Sequence, residues 1–297
     1  VMNELFGFGG TDAPSLDGWL ARIHPDDRAV MADVVLNDVI GRGEDFDREY
    51  RIVRTDGGET RWIRSLGGLE FDIRGLNLEL HGTCEDITER KRAEDDLRDS
   101  NATLREALVG TVRSMAFVVE SRDPYTAGHQ RRVAELAEAI AREMGFSEDR
   151  IEGIRMAAFI HDLGKITVPA EILCKPSILK KAEFELIQDH PRAGYDILKD
   201  IAFPWPIARI VLEHHEKLDG SGYPDGLSGD AILPESRVVT VADVVESMAS
   251  HRPYRPSRGL GAALAEIGKN SGTAYDRTVV DACLSLFRDE NFRFGEV

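Results

Sequence analysis

The sequence predicts a multidomain chain: an α+β domain over residues 1–88, a linking helix over 89–122 and an all-α helical bundle over 123–297. Three observations predict it. The 297 residues exceed the roughly 150 of one typical domain, and 42% apolar against 30% charged residues is an ordinary globular balance. Glycine and strand-like runs crowd the part before Ile87, whereas helical periodicity dominates everything after it. Acids outnumber bases 53 to 37, a net charge of −16, which argues against a surface for nucleic-acid polymers while leaving room for a local basic pocket. No apolar run approaches the roughly 18 residues of a membrane helix and no basic-then-apolar leader opens the chain, so a cytoplasmic protein without membrane insertion is expected. Cys84, Cys174 and Cys283 are scattered and form no CxxC, which fits a reducing compartment and simple packing.

Each element follows from local signals. Strands are expected at Phe46–Arg54, Arg61–Gly67 and Leu78–Thr83, with Asp56-Gly57-Gly58 turning the first into the second. From Ile87 to Gly110 neither glycine nor proline interrupts the chain. Leu97, Leu104, Thr111 and Val118 fall seven apart, as do Asn101, Leu108 and Met115. That pattern suits a linking helix paired in a homodimer, and equally an ordinary helix packed on its own domain. Asp123-Pro124 should break it. A further amphipathic helix then runs to Gly145, and Ser147, followed by Glu148 and Asp149, should cap the next.

The chemistry lies in where the histidines fall. His129 sits one turn before Val133 on the Val133, Leu136, Ile140 stripe. Ile151, Ile154 and Ala158 continue onto His161 and Asp162; Ile207, Ile210 and Val211 continue onto His214 and His215. Asp243 lies in a helix apolar around most of its circumference, and His190, before Pro191, should end one helix just before another. Five of the eight histidines and two aspartates thus converge on buried faces, a costly arrangement without a metal. Imidazole with carboxylate is the ligand set of zinc, iron, manganese or nickel. Seven ligands exceed what one such ion takes while keeping a position open for chemistry. Two ions bridged by one aspartate suit phosphoester hydrolysis.

Arg48–Gly57, Arg61-Trp62-Ile63 and Gly82–Lys91, closing on Asp86-Ile87-Thr88-Glu89-Arg90-Lys91, resemble the C-terminal half of a PAS sensor domain. Glu4-Leu5-Phe6-Gly7-Phe8 resembles the segment just after the first two PAS strands, so those strands are expected to be missing. His24 and His81 are expected at the surface or in packing rather than on a cofactor. His161-Asp162-Leu163-Gly164-Lys165 resembles the signature of the HD phosphohydrolases, and His214–Pro224 the extended mark of their HD-GYP branch. Asp123–His129 and Arg252-Pro253-Tyr254-Arg255 match that branch too, and the likeness spans residues 113–290.

The resemblance implies a PAS-regulated bacterial phosphodiesterase that opens cyclic di-GMP to pGpG and, in some members, cleaves on to GMP. Another cyclic dinucleotide such as cyclic GMP-AMP, or a silent nucleotide- or partner-binding module, are the alternatives. It implies His129, His161, Asp162 and Asp243 as ligands of one divalent ion and His190, His214 and His215 of the other, with Asp162 bridging. Iron or manganese is expected, with zinc or nickel also compatible. Asp162 and Lys165 would be catalytic, Lys165 by neutralising the leaving oxygen. Arg252, Arg255, Glu246 and Tyr223 would bind substrate, although Glu246 stands where many relatives carry aspartate. The Gly220–Pro224 loop is linked in relatives to partner recognition, which makes a diguanylate cyclase a candidate partner. Some members hold a third ion on a glutamate one turn before the first histidine. Here that position is Tyr125, a poor ligand when neutral, and Glu120 is expected to be a solvated helix residue.

Overall fold

The computed structural model describes residues 5–7, 15–54, 57–71, 78–122, 128–175, 177–250, 258–288 and 292–294. The chain divides into two compact units, Val1–Leu104 and Arg105–Val297, a division that falls inside the linking helix rather than at either of its ends.

In the first unit, Ser15 Oγ accepts from Gly18 N (3.1 Å) and starts α1 (Leu16–Arg22). Helix α2 (Pro25–Asp33) has proline in its first turn and His24 as its cap, and continues into a π-helical segment over Val34–Ile40. Strands β1 (Phe46–Val53), β2 (Thr60–Phe71) and β3 (Leu78–Asp86) form an antiparallel sheet in the order β1-β2-β3. Register is fixed by pairs such as Tyr50 opposite Ile63, and Arg54 N donates to Glu59 O (2.9 Å) to close the first hairpin. Asp56 lies outside the described residues. Both β2 and β3 run past the expected ends. Alternation on β1 turns Phe46, Tyr50 and Ile52 inward against Trp19, Ile23, Met31, Val35 and Val39. His81 is exposed.

Helix α3 (Thr88–Arg122) is continuous over 35 residues. Within the second unit its two heptad rows part company. Leu108 and Met115, with Val112, Ala116 and Val119, pack into that unit's core, while Val118 is 51% exposed. Leu97 and Leu104 of the same outer row are also exposed.

The rest of the second unit is helical: α4 (His129–Glu143), α5 (Glu148–Ile160), α6 (Ala170–Leu173), α7 (Lys181–Gln188), α8 (His190–Leu198), α9 (Ile207–Glu213), α10 (Pro234–Ala249), α11 (Leu260–Lys269) and α12 (Arg277–Arg288). Gly145 ends the turn after α4 at φ 74°, and Ser147 caps α5. Glu120, expected in solvent, is half-buried and accepts from Gln130 N (3.3 Å) at the start of α4. A free N–H in a helix's first turn attracts a carboxylate from the preceding helix. The stripes of α4, α5 and α9 bury Val133, Leu136, Ile140, Ile154, Ile207 and Ile210 completely around α10. Each stripe ends on a histidine, so packing this core brings the histidines together. None of the described helices is long and apolar enough to cross a membrane.

Candidate active site

The site forms where four helical segments end or begin. His129 is the first residue of α4, and His161 and Asp162 follow the last turn of α5. His190 opens α8, and His214 and His215 follow α9. The expectation that His190 would close a helix is corrected: Asp189 makes the break, and Pro191 suits the first turn because that turn needs no N–H there. Asp243 comes from the middle of α10. All these side chains are buried except His215, which keeps 23% exposure.

Asp162 is the centre. Its Oδ1 lies 3.3 Å from His190 Nε2, and its Oδ2 lies 3.4 Å from His161 Nε2 and 3.7 Å from His129 Nε2. Asp243 Oδ1 lies 3.3 Å from His129 Nε2 and 3.9 Å from His161 Nε2, and Asp243 Oδ2 lies 3.9 Å from His215 Nδ1. Three sets of ligand atoms lie within 4.8 Å of one another: His129/His161/Asp243, His161/Asp162/His214 and His190/His214/His215. Asp162 therefore touches both histidine groups, one carboxylate oxygen toward each.

Ring orientation shows what the site is built for. Three histidines donate Nδ1–H to the carbonyl three residues back: His161 to Ala158 (2.7 Å), His190 to Ile187 (2.6 Å) and His214 to Val211 (2.6 Å). That fixes the tautomer and aims each Nε2 lone pair inward. His190 Nε2 and His214 Nε2 then stand 3.2 Å apart, two lone pairs facing each other. His129 Nε2 and His161 Nε2 are buried without a hydrogen-bond partner. The approach of His129 Nε2 to Asp243 is a charge contact, not an aligned hydrogen bond. Only a shared proton or a cation makes such an arrangement favourable, and inward imidazole lone pairs beside two carboxylates fit divalent metal ions.

At His129 burial works against protonation, yet Asp243 and Glu246 raise the ring to about 9, so a cation there would have to displace a proton. The other resolved fields favour the metal-binding forms. Burial works against ionising Asp162 and Asp243, yet Lys165, His161 and His190 hold the first, and His129, His161 and His215 the second, well below the usual range. Burial, with the neighbouring histidines, presses His214 well down, and burial, then His190, brings His215 to about 3. Neutral imidazole and ionised carboxylate are the metal-binding forms.

Lys165 Nζ donates to Asp162 Oδ2 (2.6 Å) from the 3₁₀ turn Leu163–Thr167. Gly164 makes that turn possible: a Cβ there would sit 1.9 Å from His190 O and 2.5 Å from Gly194 N, forcing α8 away. Tyr223 lies over His215, ring centroids 4.7 Å apart at 34°, and its N–H donates to His215 O (3.2 Å). Its loop is held by Glu216, which accepts from Asp225 N (2.7 Å) and Leu227 N (2.9 Å).

Glu246, expected to contact substrate, is 1% exposed, and its Oε2 meets His129 Nδ1 behind the site. One helical turn beyond Asp243, it shares that residue's buried face, and the i, i+3 spacing was the available signal. Arg132, which the sequence reading missed, donates from Nε to Glu246 Oε1 (2.7 Å) and lies one turn after His129. Arg252, Arg255 and Tyr125 lie outside the described residues.

Comparison with known proteins decides the family. The HD domain model matches residues 113–279, more than half of the chain. The chain belongs to the HD domain family. The PAS fold model matches residues 1–84. This HD domain chain is 36% identical over 232 residues to the cyclic di-GMP phosphodiesterase response regulator RpfG of Xanthomonas campestris, covering 73% of this chain and 61% of that protein. It is 40% identical over 183 residues to 3'3'-cGAMP-specific phosphodiesterase 3 of Vibrio cholerae, covering 60% and 40%. It is 43% identical over 172 residues to a cyclic di-GMP phosphodiesterase of Thermotoga maritima, covering 57% and 47%. The HD domain chain thus spans between two fifths and about three fifths of the length of these relatives.

Proposed function

We propose that the chain is a metal-dependent phosphodiesterase that hydrolyses cyclic di-GMP to pGpG under the control of its PAS region. The observation that carries this reading is Asp162, whose two oxygens face two sets of inward-pointing imidazoles. His129, His161, Asp162 and Asp243 would hold one divalent ion and His190, His214 and His215 the other, Asp162 being shared. Iron or manganese suits this mixed imidazole and carboxylate set. When bound, such a pair supplies Lewis-acid polarisation of a phosphodiester and a water-derived nucleophile at neutral pH.

The chain's own residues do the remaining work. Lys165 Nζ, already at Asp162, neutralises charge on the phosphoryl oxygens and supports the departing 3'-oxygen. Tyr223 offers a ring edge for the nucleotide beside His215, and Arg252 and Arg255 supply bidentate donors to phosphate or guanine. One P–O3' bond breaks, water adds its oxygen to phosphorus, and the 3'-oxygen leaves with a proton as linear pGpG. The exposed Leu97, Leu104 and Val118 support pairing of two copies along α3. The Gly220–Pro224 loop offers a docking point for a diguanylate cyclase.

The names of the relatives favour cyclic di-GMP, with 3'3'-cGAMP as a second reading because a Vibrio enzyme specific for it shares 40% identity. Incubating manganese- or iron-loaded protein with each dinucleotide separates them. Faster conversion of cyclic di-GMP to pGpG is expected. Faster turnover of 3'3'-cGAMP would transfer the assignment, and no metal-dependent turnover of either would overturn it.

A further inference from the structure

His129 is held differently from its three partners. His161, His190 and His214 each use a backbone carbonyl three residues back. His129 opens α4 directly after Gly128, which is left-handed at φ 71°. His190 also opens a helix, but α7 runs to Gln188 immediately behind it and supplies Ile187 O. A side-chain carboxylate takes the carbonyl's place at His129: Glu246 Oε2 on Nδ1. The other oxygen, Oε1, accepts from Arg132 Nε (2.7 Å) and Ser250 Oγ (2.5 Å), so the carboxylate is locked with one oxygen left for the ring.

This difference has a chemical consequence. A carboxylate behind an imidazole holds the Nδ1 proton and raises the electron density at Nε2 more than a neutral carbonyl does. The group formed by His129, His161 and Asp243 therefore gains an anion at second hand, whereas the group of His190, His214 and His215 has only carbonyl-backed or exposed rings. We propose that Glu246 is a positioning residue that acts through His129 to make the His129/His161/Asp243 half of the site the tighter of two cation positions. The proposal rests on the reading that these side chains hold two cations.

Titrating metal-free protein with Mn²⁺ alone, by calorimetry or by the electron paramagnetic resonance of free Mn²⁺, tests both without an activity readout. The wild-type chain should show two binding events of unequal affinity. Glu246→Gln should weaken the tighter event by about 10–100-fold and leave the other within about twofold. Glu213→Gln is the structural control: Glu213 is as buried as Glu246, but its carboxylate serves Arg209, Leu233 N and Ser236 and touches no site histidine. It should leave both events in place. Arg132→Gln, which removes one anchor of Glu246, should weaken the same event by a smaller factor, and it decides the matter if Glu246→Gln does not fold. Equal weakening of both events, or no change in either, overturns the role of Glu246. Absence of any Mn²⁺ binding by the wild-type chain overturns instead the two-cation reading beneath it.

Discussion

The two units bury polar groups in opposite ways. In the N-terminal unit a single chain of hydrogen bonds runs through the core: Trp19 Nε1 donates to Tyr50 Oη (3.0 Å), Tyr50 Oη pairs with Ser65 Oγ (2.7 Å), and Ser65 Oγ meets Cys84 Sγ (3.1 Å). Every member has a partner, and burial pushes the Tyr50 hydroxyl up to about 12, so it stays neutral. In the helical unit the buried rings have partners on their outer nitrogens only. Their inner nitrogens face one another and two carboxylates. A closed network needs nothing from solution, whereas an open, convergent one is a site.

The sharpest way to break this contrast is Asp162→Ala. The carboxylate faces both histidine groups at 3.3 to 3.7 Å, closer than the 3.9 Å at which Asp243 approaches His215. Bound metal should fall from two ions per chain to one or none, and phosphodiesterase turnover by about 10²–10³-fold or more. The helical circular dichroism should be unchanged, because the core around α10 does not use this side chain. Elemental analysis and a turnover assay measure the loss. Full metal content with full turnover would show that the open network does not bind metal through Asp162.

Tyr50→Phe probes the closed network. It keeps the aromatic packing against Trp19 and Phe46, whose rings lie 5.5 and 6.3 Å from Tyr50 at steep angles. It strips Trp19 Nε1 of its acceptor and Ser65 of a partner. Leaving such groups unsatisfied costs about 1–3 kcal/mol. Hydrogen exchange at the Trp19 indole should speed up accordingly, while metal content stays at the wild-type value. Unchanged exchange would mean that the network contributes nothing to the unit's stability.

This contrast also explains what was legible in the sequence. The seven candidate ligands stand out in the sequence because helical periodicity predicts which residues share a buried face, and His129, Asp162 and His214 lie on such faces. The contact of Glu246 was not legible because periodicity gives the face of α10 but not what packs against it. Only the arrival of α4 puts His129 Nδ1 there. Nothing in the sequence around Arg132 signals its buried partner, Glu246, more than a hundred residues away. In the sheet, β2 and β3 outrun their apolar cores because backbone pairing continues through polar residues such as Glu70 and Glu79. The outer row of α3 was legible as a repeat, but a repeat in one chain does not state its partner. Leu108 and Met115 turned out to serve their own unit.

The smallest expected effect concerns charge at the edge of the closed network. Asp27, on α2, accepts from Arg51 N (2.9 Å) and Arg51 Nε (3.0 Å) and ties that helix to β1. The Arg51 hydrogen bonds lower its carboxyl below the usual aspartate value of 3.8, against a smaller opposing effect of burial. A carboxyl depressed in the folded state stabilises it fully above the unfolded value and loses that contribution as pH falls through the folded value. Stability of the N-terminal unit should therefore hold steady from pH 7 down to about 5 as far as Asp27 is concerned, then decline below about 4. Asp27→Asn should remove that part of the acid slope. At pH 7 it should cost about 1 kcal/mol, because the pair is half-exposed and an amide still accepts one of the bonds. Trp19 indole exchange in metal-free protein at pH 7, 5 and 3.5 reads both quantities in the right unit, unaffected by loss of metal from the other. If the variant keeps the wild-type acid slope, Asp27 is not its source, and the contact with Arg51 stabilises the unit only through geometry.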